Sequence, residues 1–397
     1  MPIAPIRLKR NEERRLNAGH PWIFSNEIDV LTTPLSQFEP GQPVRIEAHN
    51  GKPLGCGYVN PASLICVRLT SRDPERVLDR SLLVHRLQVA LSLRERLFDR
   101  PCYRLVHGEA DRLPGLVIDR FGDVLAVQIT TAGMERLRDD LLDALDKVVA
   151  PRCVVLRGDS PLREMEQLES YREVARGQLD GAVELEENGC RFTCDPLTGQ
   201  KTGWYYDHRE NRARLAPLSR GKRVLDLFSF TGAWGVQAAV AGAREVLCAD
   251  ASAGALEQVH DHAARNGVED RVATLEGDAF DALRELRQAR ERFDVVIADP
   301  PAFIKRRKDF KNGLTAYRRL NQMAMQVLER DGLLVSASCS HHLPHEQLRD
   351  LLRATSRHLD RHLAIFADGR QGPDHPVDPA MPEGDYLKAL FCRILPS

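Results

Sequence analysis

From about residue 190 onward, short apolar runs alternate with amphipathic helical stretches, and no other feature restricts the fold as strongly. The runs are 223–228, 245–250, 272–275, 293–298 and 333–337, and the spacing predicts helices over about 233–242, 252–266, 279–289 and 313–330. Strand–helix–strand alternation of this kind builds a doubly wound, mostly parallel sheet. Ligands on such sheets sit at the carboxyl ends of the strands, near the point where strand order reverses.

The earlier part of the chain has a different grain. Residues 1 to about 75 read as a small all-β module, with strand-like runs at 43–47 and 64–69 punctuated by Gly41, Gly51, Gly55 and Gly57. Its entry is basic, with Arg7, Lys9, Arg10, Arg14 and Arg15. A helix follows, with Leu82, Leu83, Leu87, Leu91 and Leu93 near helical spacing. Residues 101 to about 185 form another unit: a hairpin through Arg120–Asp123, a helix over about 133–147 and a strand at 153–156.

Composition excludes several classes. Lys and Arg total 56 against 57 Asp and Glu, so a uniformly basic nucleic-acid coat is excluded while local basic patches are not. No stretch approaches the ~18 consecutive apolar residues of a membrane helix, and the opening residues lack the apolar run of a signal peptide. The nine cysteines are scattered and form no Cys-x-x-Cys pair, which argues against a zinc ribbon or a disulfide framework and for a cytoplasmic setting. His341, His342 and His345 lack clustered cysteine or acidic partners, so no metal site is expected.

Chemistry concentrates at the predicted strand ends. Asp226 opens the turn Asp226-Leu-Phe-Ser-Phe-Thr-Gly-Ala-Trp-Gly235, whose small residues admit a ligand close to the backbone, and no Lys-Ser or Lys-Thr follows to make a phosphate loop. Asp250 ends the second run, where an acid suits ribose hydroxyls. Asp278 follows the third and could accept from an adenine amino group. Any one of them could instead cap the next helix, but three at successive strand ends point to a nucleoside-type cofactor.

Asp299-Pro-Pro-Ala-Phe303 ends the fourth run; its prolines would hold the acid rigidly beside an aromatic ring, as recognition of a planar base requires. Cys339, in Ser338-Cys-Ser340, falls on the same sheet edge and is read as a nucleophile, with the other eight cysteines buried and inert. The basic run Lys305, Arg306, Arg307, Lys308 and Lys311 is either a solvated loop or a phosphate-backbone contact.

With these elements, the chain resembles the class I S-adenosylmethionine-dependent methyltransferases. More narrowly, it is similar to the bacterial large-subunit ribosomal RNA methyltransferase I family, which makes 5-methylcytosine in 23S rRNA. The likeness runs through 20–25, 108–116, 201–209, the Asp226 turn, Asp299-Pro-Pro, Ser338-Cys-Ser340, 374–377 and 382–388. It implies an N-terminal PUA-type RNA-binding β-barrel (1–75), a linker helix with a small α/β middle domain (76–188), and a Rossmann-like α/β catalytic domain with a seven-stranded sheet (189–397).

By the same resemblance, Asp226, Phe228, Ser229, Thr231, Gly232, Asp250, Ala251, Asp278, Ala279 and Asp299 would line the S-adenosylmethionine pocket, with Tyr206 and Arg209 at its edge. S-adenosylhomocysteine would be the product. Cys339 matches the family nucleophile and Asp299 its base-holding acid. Large-subunit rRNA would be the partner, and a homodimer is compatible with the sequence.

Two features depart from the common pattern. Phe230 stands where the first glycine of the turn is usual, and the Asp299 motif lacks the extra cysteine of many RNA cytosine methyltransferases. Two other readings stand beside this one: methylation of an exocyclic amine with Cys339 structural, and a non-catalytic RNA-binding or assembly protein.

Overall fold

Five short strands between Ala4 and Ser71 hydrogen-bond into one sheet in the computed structural model, which describes residues 3–397. Ala4–Arg7 runs parallel to Gln42–Glu47, and the remaining pairings are antiparallel. Alternate residues such as Val44 and Ile46 enter a common core with Ile6, Val59 and Val67, as the two-residue period of a strand dictates. The strand expected at 64–69 lies at Val67–Ser71 instead. Leu64 is 70% exposed and its carbonyl accepts from the Ser25 N–H, so this stretch is a loop whose backbone pairs elsewhere.

A second sheet comprises Cys102–His107, Leu116–Phe121, Val124–Ile129, Cys153–Gly158 and Tyr171–Gly177. The expected hairpin is present, with Phe121 opposite Val124. The helix expected over 133–147 is two helices, Ala132–Arg136 and Arg138–Val148, separated at Leu137. The Arg80–Leu97 helix also differs from expectation, because Leu93 is 40% exposed while Arg86 and Arg94 are buried. Arg94 grips both oxygens of Asp111 at 2.6 and 2.8 Å and donates to the Asp374 carbonyl at 2.9 Å. A count of apolar spacing cannot see a buried face made from a paired arginine.

Both sheets belong to one compact unit: the chain up to Leu185 together with Thr193–Tyr206 and Pro373–Gly384. Glu166 ties them together. Its carboxylate accepts from Arg68 at 2.9 Å, from Asn60 at 2.8 Å and from the Ala132 N–H at 3.2 Å. Burial opposes its ionisation, but Arg68 and these donors outweigh burial and hold the carboxyl below its ordinary value.

The second unit is Glu186–Phe192, Asp207–Gly372 and Asp385–Ser397. Its strands are β1 (Arg223–Leu227), β2 (Glu245–Asp250), β3 (Val272–Glu276), β4 (Phe293–Ala298), β5 (Leu328–Ser338), β6 (Arg361–Gly369) and β7 (Lys388–Pro396). Its helices are α1 (Arg209–Leu215), α2 (Ala233–Val240), α3 (Ala253–Arg265), α4 (Ala279–Gln288), α5 (Phe310–Gln326) and α6 (His345–His358). The sheet order is β3-β2-β1-β4-β5-β7-β6. The first five are parallel and β7 is antiparallel to both of its neighbours. Strand order reverses between β1 and β4, so the carboxyl ends of those two strands define the binding edge.

The helix expected to reach 330 stops at Gln326, and β5 begins at Leu328. The cause is tertiary. Arg361 donates to the carbonyls of Glu329 and Arg330, and Arg393 grips Asp331 at 2.8 and 2.7 Å, so the polar residues 329–331 are held in the sheet from β6 and β7. Among the described residues, no helix is long and apolar enough to cross a membrane.

Glu166→Gln takes from the buried Arg68 its hydrogen-bonded carboxylate and leaves Glu109, 3.9 Å from Nε, as its remaining counter-charge. It is expected to cost about 3 kcal/mol of unfolding free energy at pH 7. Because the wild-type carboxyl is held below its unfolded value, that difference shrinks as pH falls through the carboxylate range. Urea unfolding at pH 7 and pH 4 measures both effects; equal stabilities at pH 7 would remove Glu166 from this role.

Candidate active site

Asp226 sits near the end of β1 with its carboxylate fully buried. One oxygen accepts from the Gly235 N–H at 2.9 Å, and the other has no hydrogen-bond partner. Gly235 makes this approach feasible: a Cβ there would stand 2.5 Å from the Cys248 sulfur on β2 and 3.2 Å from the Asp226 carboxylate. Burial pushes the Asp226 carboxyl up to about 8; the Gly235 N–H works against this, and the charges of Asp299 and Asp250 add to it.

The chain then turns sharply into α2. Phe228 and Phe230 adopt φ of 59° and 51°, and Gly232 has φ of 79°. Non-glycine residues in this region cost about 1 kcal/mol or more each, so the surrounding structure must hold them there. Asp250 does so in part, accepting from the Phe230 N–H and the Ser252 N–H, both at 2.9 Å. Thus Phe230, standing in a position commonly occupied by glycine, takes the left-handed backbone conformation that glycine favours. The hydroxyls of Ser229 and Thr231 are buried and without partners. Three orphaned polar atoms in one strand-end turn (Asp226 Oδ1, Ser229 Oγ and Thr231 Oγ1) are costly unless a ligand supplies their partners. This turn therefore fits a polar small-molecule cofactor.

Asp278 is the N-cap of α4, its Oδ1 accepting from the N–H groups of Phe280 and Asp281. Ala279, the first residue of α4, is buried, whereas Ala251 after β2 is exposed. Arg209 is buried on α1, its Nε 3.6 Å from Glu187, which also receives both prongs of Arg212 at 2.6 and 2.9 Å. Tyr206 belongs to the first unit, buried, with its hydroxyl donating to the Arg120 carbonyl at 2.9 Å.

Asp299 follows β4 and is held from two sides. Trp234 Nε1 donates to Oδ2 at 3.1 Å, and His208 Nε2 lies 3.2 Å from Oδ1. The His208 ring rests 5.2 Å from Trp234, and its Nδ1 is 3.0 Å from Asn211 Nδ2. Burial alone would discharge the imidazole, but the Asp299 carboxylate outweighs it and raises the histidine above its ordinary value. Phe303, expected to present a stacking face, is built into an aromatic group with Tyr317 at 4.8 Å and with Phe228 and Phe280 at 6.4 Å.

Cys339 follows β5. It is the one cysteine that is partly exposed; the other eight are buried. The flanking serines anchor its loop. Ser338 Oγ donates to the Tyr317 hydroxyl at 2.8 Å, and Ser340 Oγ lies 2.9 Å from the same hydroxyl. Ser340 Oγ also accepts from the Ile304 N–H at 3.1 Å, which ties the loop after β4 to the loop after β5. The basic residues Lys305, Arg306, Arg307, Lys308 and Lys311 all face solvent beyond this tie. Sequence reasoning missed His208, Trp234 and Tyr317 as partners of the site. Trp234 had a signal, since it lies within the Asp226 turn, and His208 stands within the segment 201–209.

Residues 116–392 match the S-adenosylmethionine-dependent methyltransferase family, and residues 6–72 match the PUA-like domain. The chain is 36% identical to "Ribosomal RNA large subunit methyltransferase I" of Shewanella denitrificans, covering 98% of this chain and 99% of the relative. It is 34% identical to the protein of the same name from Aliivibrio fischeri with the same coverage. Among solved structures, a methyltransferase complexed with SAH superposes with a TM-score of 0.84 at 20% identity, covering 98% of this chain and all of the other. An S-adenosylmethionine-dependent methyltransferase from Streptococcus mutans gives 0.83 at 20% identity over the same shares. The orphaned atoms of the Asp226 turn and the β3-β2-β1-β4-β5-β7-β6 sheet agree with this company: the chain belongs to the S-adenosylmethionine-dependent methyltransferases with a PUA-like N-terminal domain, in the family of the large-subunit ribosomal RNA methyltransferase I proteins.

Proposed function

We propose that this methyltransferase forms 5-methylcytosine in large-subunit ribosomal RNA through a covalent adduct with Cys339. The observation that carries the reading is the one partly exposed thiol of the chain, following β5 in a loop tied to the Asp299 loop. The names of the full-length relatives support the RNA class.

Cytosine carbon 5 is a weak nucleophile. Addition of the Cys339 thiolate at carbon 6 moves electron density onto carbon 5. The turn from Asp226 to Gly232, with Asp250, Ala251, Asp278 and Ala279, would hold S-adenosylmethionine, which would supply the methyl group to carbon 5 and leave as S-adenosylhomocysteine; a base then removes the carbon 5 proton, and the Cys339 thiolate leaves carbon 6 as the ring double bond re-forms. Asp299 keeps free lone pairs on a carboxylate oriented by Trp234 and His208. It accepts from the exocyclic amine of the base and steadies the adduct. The target base reaches the thiol only when unpaired or turned out of its stack. Arg209 supports the pocket from α1 through Glu187.

The working division of the chain is a PUA-type module over 1–75, a linker helix and middle domain over 76–188, and a catalytic domain over 189–397. The PUA-type module and the exposed run at 305–311 hold the RNA backbone, so binding weakens with salt.

Two outcomes are expected. With protein-free large-subunit rRNA and methyl-labelled S-adenosylmethionine, nucleoside digestion should yield 5-methylcytosine from the wild type and none from Cys339→Ala, while Asp299→Asn should slow the reaction about 100-fold or more. A methylated exocyclic amine from both wild type and Cys339→Ala would transfer the function to amine methylation and return Cys339 to structure.

The second concerns Asp226. A carboxyl held up to about 8 in the folded state stabilises the fold at low pH and loses that contribution as pH rises toward 8. Asp226→Asn should therefore gain on the ligand-free wild type in thermal stability, by a margin that grows between pH 4 and pH 8. It should also bind S-adenosylmethionine at least tenfold more weakly by calorimetry. Parallel stability curves for the two proteins would remove the assignment.

A further inference from the structure

Lys388 is a buried cation for which the reaction above has no use. It opens β7 directly opposite Ser338 in the antiparallel pairing with β5. Its Nζ donates to the Ser340 carbonyl at 2.8 Å, and the residue is only 7% exposed. Lys388 is therefore fastened to the residue on each side of Cys339: by strand register to the one before and by its ammonium to the one after. An ammonium carries three donors. Lys388 makes this one hydrogen bond among the described residues, so two donors remain.

Buried lysines with incomplete hydrogen bonding are costly, and a fold keeps one more readily where a negative charge forms beside it. Burial draws this amine down to about 8, while the charges of Cys339 and Asp385 pull it back up. The Tyr317 phenol, raised chiefly by burial, also neighbours the thiol loop, and His341 and His342 stand on the turn that follows.

We propose that Lys388 is the activating partner of Cys339. The S–H bond breaks, its proton passes to solvent, and the electron pair stays on sulfur, where the Lys388 ammonium offsets the thiolate charge. The thiolate is thus ready to add to an unsaturated carbon, and the ammonium–thiolate pair re-forms when the thiolate is expelled. Lys388 is a positioning residue that acts through Cys339. This inference rests on the reading of Cys339 as nucleophile, and its test uses no RNA and no cofactor.

The test is the pH profile of Cys339 alkylation by iodoacetamide in the full-length protein, read by mass spectrometry of the peptide carrying residue 339. The burial of the other eight cysteines makes this signal specific. In the wild type, the inflection should lie below the ordinary thiol range of about 8.5. Lys388→Met should move it up by at least one pH unit and slow alkylation at pH 7 about tenfold. Lys388→Arg, which restores a fixed positive charge, should recover a low inflection. A wild-type inflection at or above the ordinary range overturns the proposal even if Lys388→Met does not fold. So does an unchanged inflection in a folded Lys388→Met. Full methylation by Cys339→Ala would instead sink the nucleophile reading, and the alkylation profile is independent of that result.

Discussion

The hydrogen bond from the Gly235 amide to the buried Asp226 carboxylate is the constraint on which the site depends. It places an acid at the end of the central strand, in a position where its charge is disfavoured. It also requires α2 to lie so close to β1 and β2 that its third residue has no room for a side chain. The chain must then leave β1 through a very tight turn, and the positive φ angles of Phe228 and Phe230 follow from that geometry. Asp250 on the neighbouring strand absorbs part of the strain by accepting the Phe230 amide. The outcome is a rigid turn lined with polar atoms that have no protein partner, which is the arrangement a pre-organised small-molecule site calls for.

The other half of the site is a pair of loops, after β4 and β5, joined through Ser340 and Tyr317. Neither loop is held by its own sequence alone. Asp299 takes its orientation from Trp234 on α2 and from His208 just before α1. The Cys339 loop takes its position from α5 through Tyr317 and from β7 through Lys388. The sheet thus gathers chemistry from distant segments onto one edge, as parallel sheets generally do.

Much of this edge was legible in the residue pattern. Asp226, Asp250, Asp278, Asp299 and Cys339 each follow or end an apolar run, and in a parallel sheet the ends of such runs share an edge. Asp278 does sit there, although it also serves as the helix cap that was weighed as its alternative. The partners were not legible. His208 and Lys388 are 91 and 49 residues away in sequence from Asp299 and Cys339, and no periodicity links them. The buried Arg86 and Arg94 of the Arg80–Leu97 helix escaped for a related reason, since their burial depends on carbonyls and carboxylates brought by other segments. The extension of β5 back to Leu328 was hidden because Arg361 and Arg393, from β6 and β7, hold its polar start.

By itself, the sequence determined the class of fold, the edge where chemistry collects and the acids and thiol that end the strands, because alternation of apolar runs is a local property and strand ends follow from it. Only the tertiary structure decided what surrounds those groups: which carboxyl is buried and pushed up by desolvation, which is paired with an imidazole, and which lysine brackets the thiol. Those outcomes depend on desolvation and on contacts between residues far apart in the chain, and neither is written in any local stretch of residues.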